Sequence, residues 1–103
     1  MPQDQDRSAA VESLTEFVIG RGGGRLFGRR RLARRCCEWV VEENPARVDA
    51  ATVREIISRR AGEEYGSMLA AILLPLLLNL ISGLIVEWWR RRNGDWLTVF
   101  NAP

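Results

Sequence analysis

Histidine and lysine are both absent from the 103 residues, and the only two cysteines, Cys36 and Cys37, are neighbours. Without an imidazole there is no histidine general base and no Ser/His or Cys/His nucleophile pair, and two adjacent thiols cannot complete a tetrahedral zinc site. A bridge between neighbours on a helix is strained, so the sequence holds no disulfide framework, which fits a reducing compartment. Catalysis would fall to carboxylates alone. The consecutive pairs Glu42–Glu43 and Glu63–Glu64 point in different directions on a helix and read as solvated charges. We therefore expect a non-enzymatic protein with no cofactor, no metal and no small-molecule substrate. The start of the chain, Met1 to Arg7, is polar and acidic, so export by a secretory signal peptide is not expected.

The absence of lysine makes all 15 basic residues arginine. This is in keeping with a GC-rich genome, although arginine also matches phosphate and carboxylate bidentately where lysine does not. The net charge is only +2, but Arg21, Arg25, Arg29, Arg30, Arg31, Arg34 and Arg35 crowd into fifteen residues. A cluster of this kind calls for an anionic neighbour: lipid head groups at roughly 1 kcal/mol per residue, or a nucleic-acid backbone in a salt-dependent complex. We take Arg25, Arg29, Arg30, Arg31, Arg34 and Arg35 as candidate anion contacts, against the plainer alternative of a solvated helix face partly neutralised by Glu38, Glu42 and Glu43. The run GRGGGRLFG at 20–28 lacks the preceding strand and Lys-Ser/Thr ending of a nucleotide loop.

Helical spacing organises the first part of the chain. Ser8 as N-cap with Val11, Leu14, Phe17 and Val18 predicts a helix over 8–19, ended by Gly20. Glycines at 20 and 22–24 read as a flexible joint. A second helix is expected over 26–43, with Leu26, Ala33, Cys36, Cys37, Val40 and Val41 on one face and arginines on the other. Asn44 and Pro45 should end it. Asp49 caps a third helix, with Val48 and Val53 as a hydrophobic staple. Ala61–Gly62 suggests a break, a final helix is expected from about Glu63 to Arg92, and Asn93–Gly94–Asp95 forms a turn before an aromatic tail.

The densest signal lies in that final helix. From Met68 to Val86 nineteen residues carry no charge, and thirteen of them are Leu, Ile, Val or Met. At 1.5 Å per residue this is roughly 28 Å, close to the hydrocarbon thickness of a bilayer, and transfer of the thirteen is worth about −4 to −8 kcal/mol. Trp88 and Trp89 fit an interfacial belt and Arg90, Arg91 and Arg92 a head-group anchor. The alternative is a helix buried in protein, with the tryptophans as core. Three arginines flank each end (Arg54, Arg59, Arg60; Arg90, Arg91, Arg92), so charge does not orient a span. Ser67, Ala71, Pro75, Asn79 and Gly83 recur every four residues, and we expect Ser67, Ala71, Asn79 and Gly83 to line a helix–helix interface. The competing reading is that Pro75 only kinks the helix.

The resulting expectation is an all-α chain in three parts: an Arg-rich amphipathic region at 1–60, a membrane-span-like hydrophobic helix at 61–92, and a turn and tail at 93–103. The expected function is a small structural or membrane-anchoring protein that self-associates as a homo-oligomer, its partner a membrane or a large protein assembly, with anionic lipid or nucleic acid on its arginines. By analogy, its size and single span suit a phage or virion component, including a holin-like pore former. Membrane association is the expected location, with a virion or cytoplasmic assembly as alternative. The second functional class is a soluble all-α binding module, for nucleic acid or protein, in which the hydrophobic helix is the bundle core.

Overall fold

The computed structural model describes the backbone of residues 2–26 and 28–92 and the side chains of 7–24, 26, 28–66, 68 and 77–92. It is all-α, with four helices: α1 (Pro2–Gly22), α2 (Arg30–Glu43), α3 (Ala50–Tyr65) and α4 (Ser67–Arg91). A single 3₁₀ turn, Gly23–Leu26, joins the first two. The described residues contain no strand. The expected turn and aromatic tail at 93–103 lie outside the described residues.

The helix ends follow local chemistry. Asn44 takes the left-handed conformation (φ 46°, ψ 56°) and its N–H donates to the Val40 carbonyl at 3.1 Å, so α2 stops where an αL cap permits. Asp49 Oδ1 accepts the Thr52 N–H at 2.8 Å, satisfying one of the orphan donors of α3. Val48 and Val53 on either side of that cap are both buried.

Four boundaries differ from the sequence reading. The first helix begins at Pro2, whose fixed φ suits the first helical position, and runs through Gly20 to Gly22. One helical glycine costs about 1 kcal/mol relative to alanine, and the buried Leu14 and Val18 one to two turns earlier offset that. The expected glycine joint is thus partly helix and partly 3₁₀ turn. Its left-handed residues are Gly23 (φ 55°) and, after the turn, Gly28 (φ 76°), which delays α2 to Arg30. The break expected at Ala61–Gly62 falls instead at Gly66 (φ 84°, ψ 151°), because Ala61 is buried and packing carries the helix past it.

The core gathers one face of each helix: Leu14 and Val18 from α1; Ala33, Cys36, Cys37, Val40 and Val41 from α2; Val53, Ile56 and Ile57 from α3; Ile81 and Ile85 from α4. Of the expected face, Ala33, Cys36, Cys37, Val40 and Val41 are buried on α2; Trp39, not assigned to it, is buried as well, and Leu26 is buried from the 3₁₀ turn before the helix. Ion pairs fix the directions. Arg30 meets Glu16 and Arg34 meets Glu12, so α2 runs antiparallel to α1. Arg35 meets Glu64 while Arg60 meets Glu42, so α3 runs antiparallel to α2. Arg21 meets Glu87 and Arg92 reaches Ser13, so α4 returns antiparallel to α1.

The hydrophobic helix is a single element of 25 residues. Among the described residues no helix is long and apolar enough to cross a membrane. In its second half, Ile81, Ser82, Ile85 and Val86 are buried against the protein's own helices.

Candidate functional site

Two surfaces answer to the sequence-predicted residues: the arginine face of α1–α2–α3 and the outward side of α4.

On the first, three of the six candidate anion contacts, Arg30, Arg34 and Arg35, already hold carboxylates from the chain itself. Arg30 Nη2 donates to Glu16 Oε1 at 2.7 Å and Arg34 Nη1 to Glu12 Oε1 at 2.9 Å. The pattern is two facing i, i+4 rows, acidic on α1 and basic on α2, in antiparallel register. Arg35 forks onto Glu64, its Nε 3.0 and 2.8 Å from the two carboxylate oxygens, and also reaches Glu38 at 3.4 Å. Its guanidinium lies 5.6 Å from the Trp39 ring centroid, a cation–π arrangement. Hydrogen bonding to Glu64 raises the Arg35 pKa, and the same contact holds the Glu64 carboxyl below its ordinary value.

The glutamates read from the sequence as solvated charges are therefore partly structural. Glu42 accepts from Arg60 at 2.7 Å, and Glu43 accepts from Arg59 at 2.7 Å and Arg60 at 2.8 Å. The Arg59 contact, then that of Arg60, lowers the Glu43 pKa. Together these pairs clamp α2 to α3. Arg29 and Arg31 stand apart: both are exposed, and neither makes an ion pair among the described residues. The side chain of Arg25 lies outside the described residues.

At the far end of α4 the expected interfacial anchors divide. Trp88 and Trp89 are 3% and 9% exposed and belong to the core, the place that the protein-buried alternative assigns them. Arg90 is exposed. Arg91 pairs with Glu87 at 3.2 Å, and Arg21 of α1 pairs with the same carboxylate at 3.5 Å. The two guanidiniums flank Phe17, 5.8 and 5.1 Å from its ring centroid. Arg92 lies over Trp88 at 5.3 Å and donates to Ser13 Oγ at 3.1 Å. These contacts tie the end of α4 to α1.

Of the expected helix–helix row, Asn79 and Gly83 are exposed on α4, and a Cβ placed on Gly83 would meet nothing within 4 Å. Ser67 and Ala71 have side chains outside the described residues. Leu77, Leu78, Leu80 and Leu84 are only partly buried against the core, and Met68 at the start of α4 is 79% exposed. Sequence reasoning missed the acidic partners Glu12, Glu16 and Glu64 and the central role of Phe17. The i, i+4 matching of Glu12–Glu16 with Arg34–Arg30 was a usable signal.

The thiols are chemically quiet. Burial, then the neighbouring Cys37, pushes the Cys36 thiol well above its ordinary value, and burial pushes Cys37 up to about 12. No cluster of potential metal ligands occurs among the described residues. A shallow cleft of about 160 Å³ between α1 and α2, lined by Arg7, Ser8, Val11, Arg34, Glu38, Val41 and Glu42, mixes both charge signs, and Arg34, Glu38 and Glu42 in its wall are already ion-paired.

No protein-family model, no curated protein and no solved structure matches the chain.

Proposed function

We propose that the chain is a non-enzymatic assembly module that associates with further copies of itself through the outward side of α4. The observation that supports this most directly is the division of one charge-free helical stretch. Its inner side, with Ile81 and Ile85, builds the domain's own core, while Asn79 and Gly83 look outward between partly buried leucines and Met68 is exposed. An apolar helix left open on one side lowers its free energy by about 25 cal/mol for every Å² of apolar surface it then covers. A glycine at the open side lets a second backbone approach closely, and Asn79 supplies a polar group for a bond across the contact. The quiet thiols and the carboxylates committed to arginine pairs agree with an assembling rather than a catalytic role.

A lipid surface is the second candidate cover, favoured by the absence of charge from Met68 to Val86. The two readings separate in one experiment. Sedimentation without detergent should show a reversible dimer or larger species that Gly83→Leu converts to monomer, since the bulkier side chain fits the single chain yet holds two backbones apart. Unchanged association in Gly83→Leu, or a wild-type protein that is monomeric in buffer and floats with liposomes, would remove the copy-to-copy reading.

A further inference from the structure

We propose that the end of the bundle where α1 turns into α2 is a binding surface for the phosphate backbone of nucleic acid. Three helices bring six guanidiniums there: Arg21 from α1, Arg29, Arg30 and Arg31 from the start of α2, and Arg90 and Arg91 from the end of α4. Contacts fix the positions of Arg21, Arg30 and Arg91, and Arg29, Arg31 and Arg90 are their neighbours in the chain. Arg21 and Arg91 flank the ring of Phe17 and share Glu87, and Arg30 bonds Glu16, the residue beside Phe17. Against six cations the described ion pairs supply two carboxylates, Glu16 and Glu87.

The surplus is local. Arg34, Arg35, Arg59 and Arg60 are ion-paired, whereas Arg29, Arg31 and Arg90 have no ion pair among the described residues. The start of α2 adds to the field: its N-cap is Arg29, no side chain caps it, and its first turn has no acidic residue, so unbonded backbone N–H groups and the positive end of the helix dipole coincide with arginines. A folded chain tolerates that arrangement best with an anion present.

The partner follows from what surrounds the charge. The exposed large apolar side chains among the described residues are Tyr65 and Met68, which flank the α3–α4 joint rather than this end, and Phe17 is covered by two guanidiniums. Among the described residues the surface thus has cations but no exposed apolar anchor for acyl chains. Guanidiniums carried by separate rigid helices suit a polymer that presents one phosphate after another, each open to bidentate bonding. No base-reading element is implied, so binding should be independent of sequence.

The test is fluorescence anisotropy with a labelled DNA duplex of about 20 base pairs, titrated at salt from about 50 to 200 mM. Flotation on phosphatidylserine-containing vesicles runs in parallel. The variant is Arg29→Ala/Arg31→Ala/Arg90→Ala, three exposed residues without ion pairs among the described residues, with its fold checked by circular dichroism. Arg47→Ala, an exposed arginine in the loop between α2 and α3, is the control. We expect wild-type binding to weaken steeply with salt, the triple variant to bind at least about tenfold more weakly with a log–log salt slope smaller by about 2 to 3, and the control to match wild type. No duplex binding at about 50 mM salt, an unchanged slope in the triple variant, or salt-sensitive capture by the vesicles in place of the duplex would each overturn the proposal.

Discussion

Replacing Ser82 with alanine should stabilise the protein. Ser82 lies between Ile81 and Ile85 on the inner side of α4, is 0% exposed, and its Oγ has no hydrogen-bond partner among the described residues. A buried hydroxyl left unsatisfied costs about 1 to 3 kcal/mol, and serine is a poorer helix former than alanine by up to about 0.7 kcal/mol. Against these gains, Ser82→Ala leaves a void about the size of one oxygen, worth about a few tenths of a kcal/mol at roughly 24 cal/mol per Å³. The net is about 1 to 2 kcal/mol of added stability, and each kcal/mol raises Tm by about 4 to 8 °C in a domain of this size. Urea and thermal unfolding followed by circular dichroism would read it, at dilutions low enough that association does not contribute. A loss of stability would refute the reasoning, because it would mean that the hydroxyl is bonded in the folded protein.

Three further outcomes follow from the core and the ion pairs. Raised thiol pKa values mean that Cys36 and Cys37 stay protonated in the fold, so at pH 8 alkylation by iodoacetamide should be slow and should accelerate only as urea opens the core. Because folded thiols hold protons that unfolded ones release near pH 8.5, their contribution to stability is complete below that pH and is lost as pH rises through the folded value of about 12 for Cys37; a Tm flat from pH 8 to 12 in a Cys36→Ala-referenced series would contradict this. Glu43 and Glu64 have the opposite sign, since their arginine partners lower the folded pKa. Their contribution is present above about pH 4.3 and disappears as pH falls through the lower folded values, so Glu64→Gln should flatten the acid limb of a stability–pH curve.

Much of the local structure was legible in the sequence because short-range chemistry dictates it. Asn44 before Pro45 and Asp49 before an apolar run end and begin helices by hydrogen bonds within four residues, and most of the α2 core face follows from period, Trp39 excepted. The glycines were less legible. Gly20 and Gly62 sit inside helices because Val18 and Ala61 are buried nearby, and burial depends on partners distant in the chain. The same limit governs Trp88 and Trp89. An apolar segment followed by two tryptophans has the same pattern whether lipid or protein covers it, and the structure turns both rings toward the core. The neutralising partners read from the sequence were Glu38, Glu42 and Glu43 on α2 itself; Glu12, Glu16 and Glu64 come near the arginines only once α1 and α3 have folded against α2.

The most direct measurement of the assembly reading is intermolecular cross-linking from the outward side of α4. The native thiols are buried, so a single Gly83→Cys or Asn79→Cys substitution introduces the one accessible thiol. Two such residues on adjoining copies bridge when their Cα atoms come within about 4.4 to 6.8 Å. Mild oxidation in detergent-free buffer, resolved on a non-reducing gel, should give a covalent dimer from at least one of these variants and none from Arg47→Cys, which lies in the α2–α3 loop. Monomer alone from both α4 variants, or dimer in equal yield from the loop control, would contradict association through this side of the helix.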